Sequence, residues 1–538
     1  MQTRIENRCA FDSICSTLRC LIVSTIKSTM AELECERPGA IQELASTFRT
    51  DDHQSSPGAH LARIQIDQTR HSASDSPAMR MPPETVGQVF MLCLPDPIRW
   101  GLQSSIPPNP LIAPLLLCNI CSSWRAVALS MPQLWTSISA ISGTGIRSRP
   151  HLNLIQLWLD RSGMCPLSFS VEHSDNAGED ESIGDEGEGE SIAESILDMF
   201  IPHFSRWQRI KLVFTTTFPK SLLQFPENGA SLLEGVQLWL SSDLGSGRIA
   251  PTLALSHILA SSPRLCTFHW MHQFYVLRSV NLPWWQLTKV NIYSEISIHD
   301  VLGMLSMSPK LIELSLDNIA GRPPDSHFPS RLILAPELQS LYIYTDVNLG
   351  PLFDELILPA LRSITIIHSI NVVPAWTQSQ LTSLVTRSKC ALESFILKYT
   401  NIPEGDLIAF LQNVPCLTYL DITNKGKTSI TDQLLLLLTA RDRGDGQAPY
   451  LCPNLQSIKL GECCFTSTDG ILAAMVASRW RRTVEMAELT NASSRVACLR
   501  NVWVDFPERS KIHAVDYKRL NEMRDEGLKI DVYDGPQY

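Results

Sequence analysis

Pro309-Lys310-Leu311-Ile312-Glu313-Leu314-Ser315-Leu316 and Pro336-Glu337-Leu338-Gln339-Ser340-Leu341-Tyr342-Ile343 share one arrangement: a proline, then a leucine, then two apolar residues in alternation. It returns as Pro263, Leu265, Phe268, Trp270; Pro359, Leu361, Ile364, Ile366; Pro415, Leu417, Leu420, Ile422; and Pro453, Leu455, Ile458, Leu460. Two copies lack the proline: Leu392, Phe395, Leu397 and Leu499, Val502, Val504. The last two apolar positions of each copy are two apart, the period of a strand, and proline ends any helix before it. Each copy therefore predicts a turn followed by a short strand. Between copies, Val301, Leu302, Leu305; Leu407, Phe410, Leu411, Val414; and Ile471, Leu472, Met475, Val476 follow helical spacing. Strand and helix alternate, and neither buries its apolar face alone, so successive units must stack.

The pattern resembles the leucine-rich repeat, Leu-x-x-Leu-x-Leu-x-x-Asn/Cys. Only Leu455, Ile458, Leu460 and Cys463 complete it. The leucines recur irregularly, 23 residues apart from Leu338 to Leu361 and 46 apart from Leu265 to Leu311. Irregular curvature is the expectation, with a non-solenoid α/β domain built on a parallel sheet as the alternative. In such strands the leucine positions point into the core and the residues between them line the concave side in columns. The columns contain Glu313, Ser315, Asp317; Ser340, Tyr342, Tyr344; Ser363, Thr365; Tyr419, Asp421, Thr423; and Ser457, Lys459. Exposed tyrosines are typical of interface centres, and Glu313, Asp317, Tyr342, Tyr344, Tyr419, Asp421 and Lys459 are the residues expected to hold a target protein.

Upstream, Val86, Val89, Phe90, Cys93 and Leu94 form one apolar stripe after Met81-Pro82-Pro83-Glu84. Leu116, Leu117, Ile120, Cys121, Trp124 and Ala128 form a second behind Pro114, and Pro132 opens a third turn with Leu134 and Trp135. Three short helices in about 50 residues bury too little for an independent core, and their surplus apolar surface predicts a partner. Met81-Pro82-Pro83-Glu84-Thr85, Leu94-Pro95, Ile120-Cys121-Ser122-Ser123-Trp124-Arg125 and Pro132-Gln133-Leu134-Trp135 resemble, in order and chemistry, the marks of an F-box, with Met81 and Thr85 departing from its opening. With Trp158-Leu159-Asp160-Arg161-Ser162-Gly163, Pro166-Leu167 and Arg206-Trp207, the chain is similar to the large F-box families of mushroom-forming fungi.

The resemblance implies a substrate receptor. Its F-box grips a Skp-type adaptor, and through it a cullin ubiquitin ligase, while its repeats hold an unknown protein substrate. On this reading Pro82, Glu84, Val86, Val89, Phe90, Leu94, Pro95, Leu116, Ile120, Cys121, Trp124, Arg125, Leu134 and Trp135 meet the adaptor. The expected fold class is α/β, a three-helix F-box module followed by an irregular leucine-rich-repeat solenoid with a parallel-stranded concave face. The expected boundaries are a weakly helical and then disordered region at 1–80, the module at 81–139, and a connecting segment at 140–229 with an acidic loop at 172–195. A repeat domain at 230–530 and a tail at 531–538 complete the chain.

At 538 residues with 44% hydrophobic and 19% charged residues, most of the chain can bury a core. A net charge of -10 argues against a sequence-independent nucleic-acid binder. The 15 scattered cysteines read as reduced thiols. The N-terminal sequence does not read as a signal peptide, and no apolar run reaches the roughly 18 residues of a membrane span. The expectation is a protein of the cytoplasm and/or nucleus, with no nucleic-acid or membrane partner. Cys118 and Cys121 have CxxC spacing but no second pair, and are expected to fall within one helix with Trp124. His269 and His272 lack a third ligand nearby, and no nucleotide-binding, nucleophile-elbow or zinc-protease motif occurs. Neither a cofactor nor a catalytic residue is expected. Arg443-Gly444-Asp445 and Asn491-Ala492-Ser493 are motifs that matter only in an exported protein.

Overall fold

The computed structural model describes residues 81–96, 98–101, 103–143, 146–173, 186–214, 230–240, 256, 258–271, 281–320, 332–369, 376–423, 429–440, 451–461, 463–480, 497–506 and 513–534. The expected N-terminal region, His272, Arg443-Gly444-Asp445 and Asn491-Ala492-Ser493 lie outside these residues. Two compact units, Met1–Glu172 and His173–Tyr538, divide the chain.

In the first unit, helix α1 (Pro83–Cys93) starts on a proline, which is tolerated where no intrahelical N–H partner exists. The second apolar stripe, read as one helix, is broken into α2 (Leu115–Ile120) and α3 (Ser122–Ser130). Cys121 is extended at the break, φ -159° and ψ 167°, and its sulfur accepts the Trp124 N–H at 3.3 Å, capping α3. Cys118 and Cys121 therefore do not share a helix, contrary to expectation. A 3-10 turn (Pro132–Trp135) leads into strands β1 (Ser137–Gly143) and β2 (Ile146–Arg149), helix α4 (Leu152–Arg161) and strand β3 (Leu167–His173). β1 lies between β2 and β3.

The core of this unit extends past residue 139. Trp135 packs edge-on against Trp158 of α4 at 4.8 Å between ring centroids, and the Arg161 guanidinium lies 4.4 Å over Trp135. The indole N–H groups of Trp135 and Trp158 donate to the carbonyls of Ala128 and Ser137. Phe90 meets Trp124 edge-on at 5.1 Å. Surplus apolar surface expected to need a partner is thus partly covered by residues expected to be a mere connection.

The acidic stretch is also more ordered than expected of a solvated loop. Glu172 is buried in β3 and accepts from the Ser105 N–H and the Ser170 hydroxyl. Helix α5 (Glu186–Phe200) occupies the later part, with Ala193, Ile196, Leu197 and Phe200 buried. These four apolar residues supply the face that the helix buries. Residues 174–185 lie outside the described ones.

The second unit is a large parallel sheet in a mixed α/β arrangement. Its strands are β4 (Trp207–Phe214), β5 (Gly235–Leu240), β6 (Thr267–Met271), β7 (Lys289–Ser297), β8 (Glu313–Ala320), β10 (Ser340–Tyr344), β12 (Ser363–Ile367), β13 (Ser394–Lys398), β14 (Tyr419–Thr423), β16 (Ser457–Gly461), β18 (Asn501–Phe506) and β19 (Lys529–Asp534). They lie side by side in that order, each parallel to the next. Two short parallel pairs stand apart, β9 (Ile333–Leu334) with β11 (Leu356–Ile357) and β15 (Ser429–Ile430) with β17 (Cys464–Phe465). Helices α6 (Ile298–Met307), α7 (Gly350–Asp354), α8 (Gln378–Ser388), α9 (Glu404–Leu411), α10 (Asp432–Leu438), α11 (Ile471–Trp480) and α12 (Ala514–Asp525) alternate with the later strands.

All eight predicted copies end in one of these strands. In this unit the sheet begins before residue 230 with β4 and ends after 530 with β19, and β5 and β7, outside the predicted copies, join it too. Trp207, Ile210, Leu212; Leu233, Val236, Leu238; and Leu287, Val290, Ile292 carry the same apolar spacing. They lack the proline two residues before the first apolar position, and the proline had served as the marker.

Register stacks the apolar positions into buried rows. Leu314, Leu341, Ile364, Phe395, Leu420, Ile458 and Val502 follow one another across neighbouring strands. Helices cover this face, as Phe410 of α9 does at 4.4 Å from Phe395. Each such side chain contributes about 1.5–3 kcal/mol by leaving water.

Carboxylates join residues of successive strand–helix units. Glu404 accepts from both the N–H and the hydroxyl of Thr431, each at 2.7 Å, and Asp432 holds Thr468 in the same way at 2.6 and 2.7 Å. Asp346 grips the N–H and hydroxyl of Ser369. At helix ends, Arg479 donates to the carbonyls of Leu438, Leu451 and Cys452.

Candidate functional site

The face of the sheet opposite the apolar rows carries the residues expected to bind a target. Ser315, Tyr342 and Thr365 are consecutive partners across β8, β10 and β12. Ser394, Tyr419 and Ser457 align across β13, β14 and β16, and Ile396, Asp421, Lys459 and Trp503 across β13 to β18. Tyr344 pairs with Ile367 and is 38% exposed. Glu313 pairs with Lys289 in register, and their side chains form an ion pair at 2.5 Å.

Two groups of side chains stand out on this face. The first joins Asp317, Tyr342 and Tyr344 with Tyr293 of β7. A bulge between Ile292 and Glu295 sets Tyr293 and Ser294 against the single residue Asp317, and bulges re-aim side chains in this way. Burial raises the Asp317 carboxyl above its ordinary range. It also raises the Tyr342 phenol, with the negative charge of Asp317 adding to the effect, so the two groups feel one another. For Tyr293, burial raises the phenol and an Asn291 hydrogen bond opposes it. Sequence spacing did not reveal Tyr293, because its unit lacks the marker proline.

The second group surrounds Asp421. This residue was expected to face outward, and it is 2% exposed, a correction that Thr423 shares by being buried too. Asp421 accepts from the Thr423 hydroxyl at 2.8 Å, and the Lys398 ammonium lies 4.0 Å away. Burial raises its carboxyl, while Thr423, Lys459 and Lys398 hold it down. Lys459 lies 4.2 Å over the Trp503 ring, and Trp503 reaches across the next strand. A Cβ placed on Gly461 would stand 2.6 Å from Trp503 Cζ3 and 2.8 Å from Thr423 Oγ1, so only glycine fits beneath that ring. Tyr419 stays half-buried beside it.

In the helical module, Val86, Phe90, Trp124, Leu134 and Trp135 are buried within the unit. The contacts of Trp135 with Ala128 and Trp158 explain why. Pro82, Glu84 and Arg125 are exposed, while Val89, Leu94, Pro95, Leu116, Ile120 and Cys121 are half-buried. Arg125 donates to the Cys118 carbonyl at 2.7 Å, tying α3 to α2. Among the described residues, the large apolar side chains left to solvent by these helices and their loop are Met91, Leu92, Leu111 and Leu129, with Leu111 66% exposed.

Asp469, His513 and Asp516 bring one ligand atom each within 4.8 Å of one another, the spacing of a metal site. Their hydrogen bonds give a structural account. Asp469 accepts from the N–H groups of Val515 and Asp516 at the start of α12, while Asp516 accepts from the Ala473 N–H in the first turn of α11. Two helices thus cap one another, with His513 bonded to Asp516 at 3.2 Å. Among the described residues no helix is long and apolar enough to cross a membrane. In comparison with known proteins, no protein-family model and no curated protein matches this chain.

Proposed function

We propose that this chain is a substrate receptor of a Skp–cullin–F-box ubiquitin ligase. Its helical module docks on the adaptor, and its parallel array is an irregular leucine-rich-repeat solenoid whose concave strands hold the protein to be ubiquitinated. The observation that carries the reading is the register-aligned open face, where Tyr342, Tyr344 and Tyr419 stay accessible on strands whose other face is closed by the core. Aromatic side chains with a polar tip, set on a rigid sheet, suit protein recognition. Met91, Leu92, Leu111 and Leu129 supply apolar contact area on the module. The receptor itself performs no chemistry; it raises the local concentration of the target near a charged enzyme.

A protein-interaction scaffold without ligase role is the second reading. The burial of Val86, Phe90, Trp124, Leu134 and Trp135 favours it, because five of the expected docking residues are used inside the module. Co-purification of a Skp-type adaptor with the full chain separates the two. The receptor reading expects the adaptor to be retained, and lost in Leu92→Glu/Leu129→Glu while the melting temperature stays put. An adaptor that never co-purifies with the folded chain leaves the scaffold.

A further inference from the structure

The geometry points to a cation-binding subsite at Tyr293, Asp317, Tyr342 and Tyr344 that takes a lysine or arginine side chain from a basic segment of the target protein. The inference deepens the proposed role of the sheet face and rests on it.

Asp317 is half-buried, and among the described residues it has no hydrogen-bond donor and no ion-pair partner. Lys289, on the adjoining strand, is engaged by Glu313 at the opposite end of the pairing. The contrast with Asp421 is direct, since that carboxylate on the same sheet has Lys398, Lys459 and the Thr423 hydroxyl around it. A partly desolvated carboxylate without a donor is an unfilled requirement, and an ammonium or guanidinium fills it with a charge-assisted bond.

The phenols select the same class of ligand. Tyr342 and Tyr344 lie two residues apart on one strand, on the open side, and Tyr293 is aimed by the bulge opposite Asp317. Ring faces attract cations, and the aliphatic stem of lysine or arginine buries well against them. An anionic group would meet Asp317 and the electron-rich ring faces, and is disfavoured by both. The chain's net charge of -10 adds long-range attraction for a basic partner.

Fluorescein-labelled hexa-arginine, hexa-lysine and hexa-glutamate peptides, titrated by anisotropy into the full chain, test the subsite. The basic peptides should bind and hexa-glutamate should not. Asp317→Asn should weaken the basic peptides about tenfold, a loss of about 1.4 kcal/mol. Tyr344→Ala, at a position 38% exposed, should weaken them several-fold and serves if Asp317→Asn is poorly folded. Glu337→Gln removes the same charge at an exposed position outside the cluster and should leave affinity within about twofold. Equal losses for Asp317→Asn and Glu337→Gln would reduce the effect to general attraction to an acidic chain and overturn the subsite. So would unchanged binding in Asp317→Asn, or no binding of either basic peptide. The titration needs no adaptor. Adaptor retained with no effect at Asp317 therefore removes the subsite alone, and adaptor absent with a specific effect at Asp317 removes only the ligase role.

Discussion

The two ends of the sheet present the same column of side chains in opposite states. Lys211, Gln237 and His269 follow one another across β4, β5 and β6 and are all buried. Further along the same column, beyond Asn291, lie Ser315, Tyr342, Thr365 and Lys459, which are only half-buried. Pairing register makes these positions equivalent, yet among the described residues one end is buried and the other remains partly exposed to solvent. Strand periodicity decides which face a residue takes, and the cover over that face decides whether it can act. Asp421 repeats the lesson locally, since its neighbours on the same face enclose it.

The largest test of this contrast is acid titration of the closed end. Burial, with Lys289 and Lys211 adding positive charge, lowers the His269 imidazole to about 4 from 6.5. The folded state then binds fewer protons than the unfolded chain between those values, so stability is full above pH 6.5 and falls as the pH drops toward 4. The loss should approach about 3 kcal/mol at 1.36 kcal/mol per pH unit. Urea unfolding of the wild type and His269→Gln across this range checks it. A wild-type curve as flat as that of the variant would show that the closed end is wetter than its burial implies.

The next effect is steric. Gly461→Ala should destabilise by about 1–3 kcal/mol, because the new methyl meets Trp503 and Thr423. In Gly461→Ala/Trp503→Ala the added cost of the methyl should shrink, and a double-mutant cycle in chemical denaturation measures that coupling. Additive effects would mean that Trp503 does not lie over the strand.

The open end should give the smallest change in stability. Burial raises the Asp317 carboxyl above 3.8, so the folded state holds its proton more tightly than the unfolded chain. The sign follows: this group costs nothing well below its unfolded value and opposes folding once the pH passes its raised native value. Asp317→Asn should match the wild type in strong acid and be slightly more stable at neutral pH, as read from melting temperatures at both. A neutral-pH loss in the variant would mean that Asp317 already has a stabilising partner and is not held open for one.

Much of the array was legible residue by residue. Alternating apolar positions after a leucine can form only a strand with one buried face, so the eight predicted copies all became strands, and Tyr342, Tyr344 and Tyr419 fell on the uncovered side. The mixed α/β class followed from the helical spacing between copies. Tertiary structure alone decided the rest, because it depends on groups far apart in sequence. Asp421 is enclosed by Lys398 and Lys459 from neighbouring strands, and Tyr293 meets Asp317 through a bulge that no spacing encodes. Trp135 packs against Trp158, a residue outside the expected module, so the core around it reaches beyond residue 139. Sequence patterns report which side of an element is apolar. Whether that side, or the polar one, remains in contact with solvent is set by packing against distant parts of the chain.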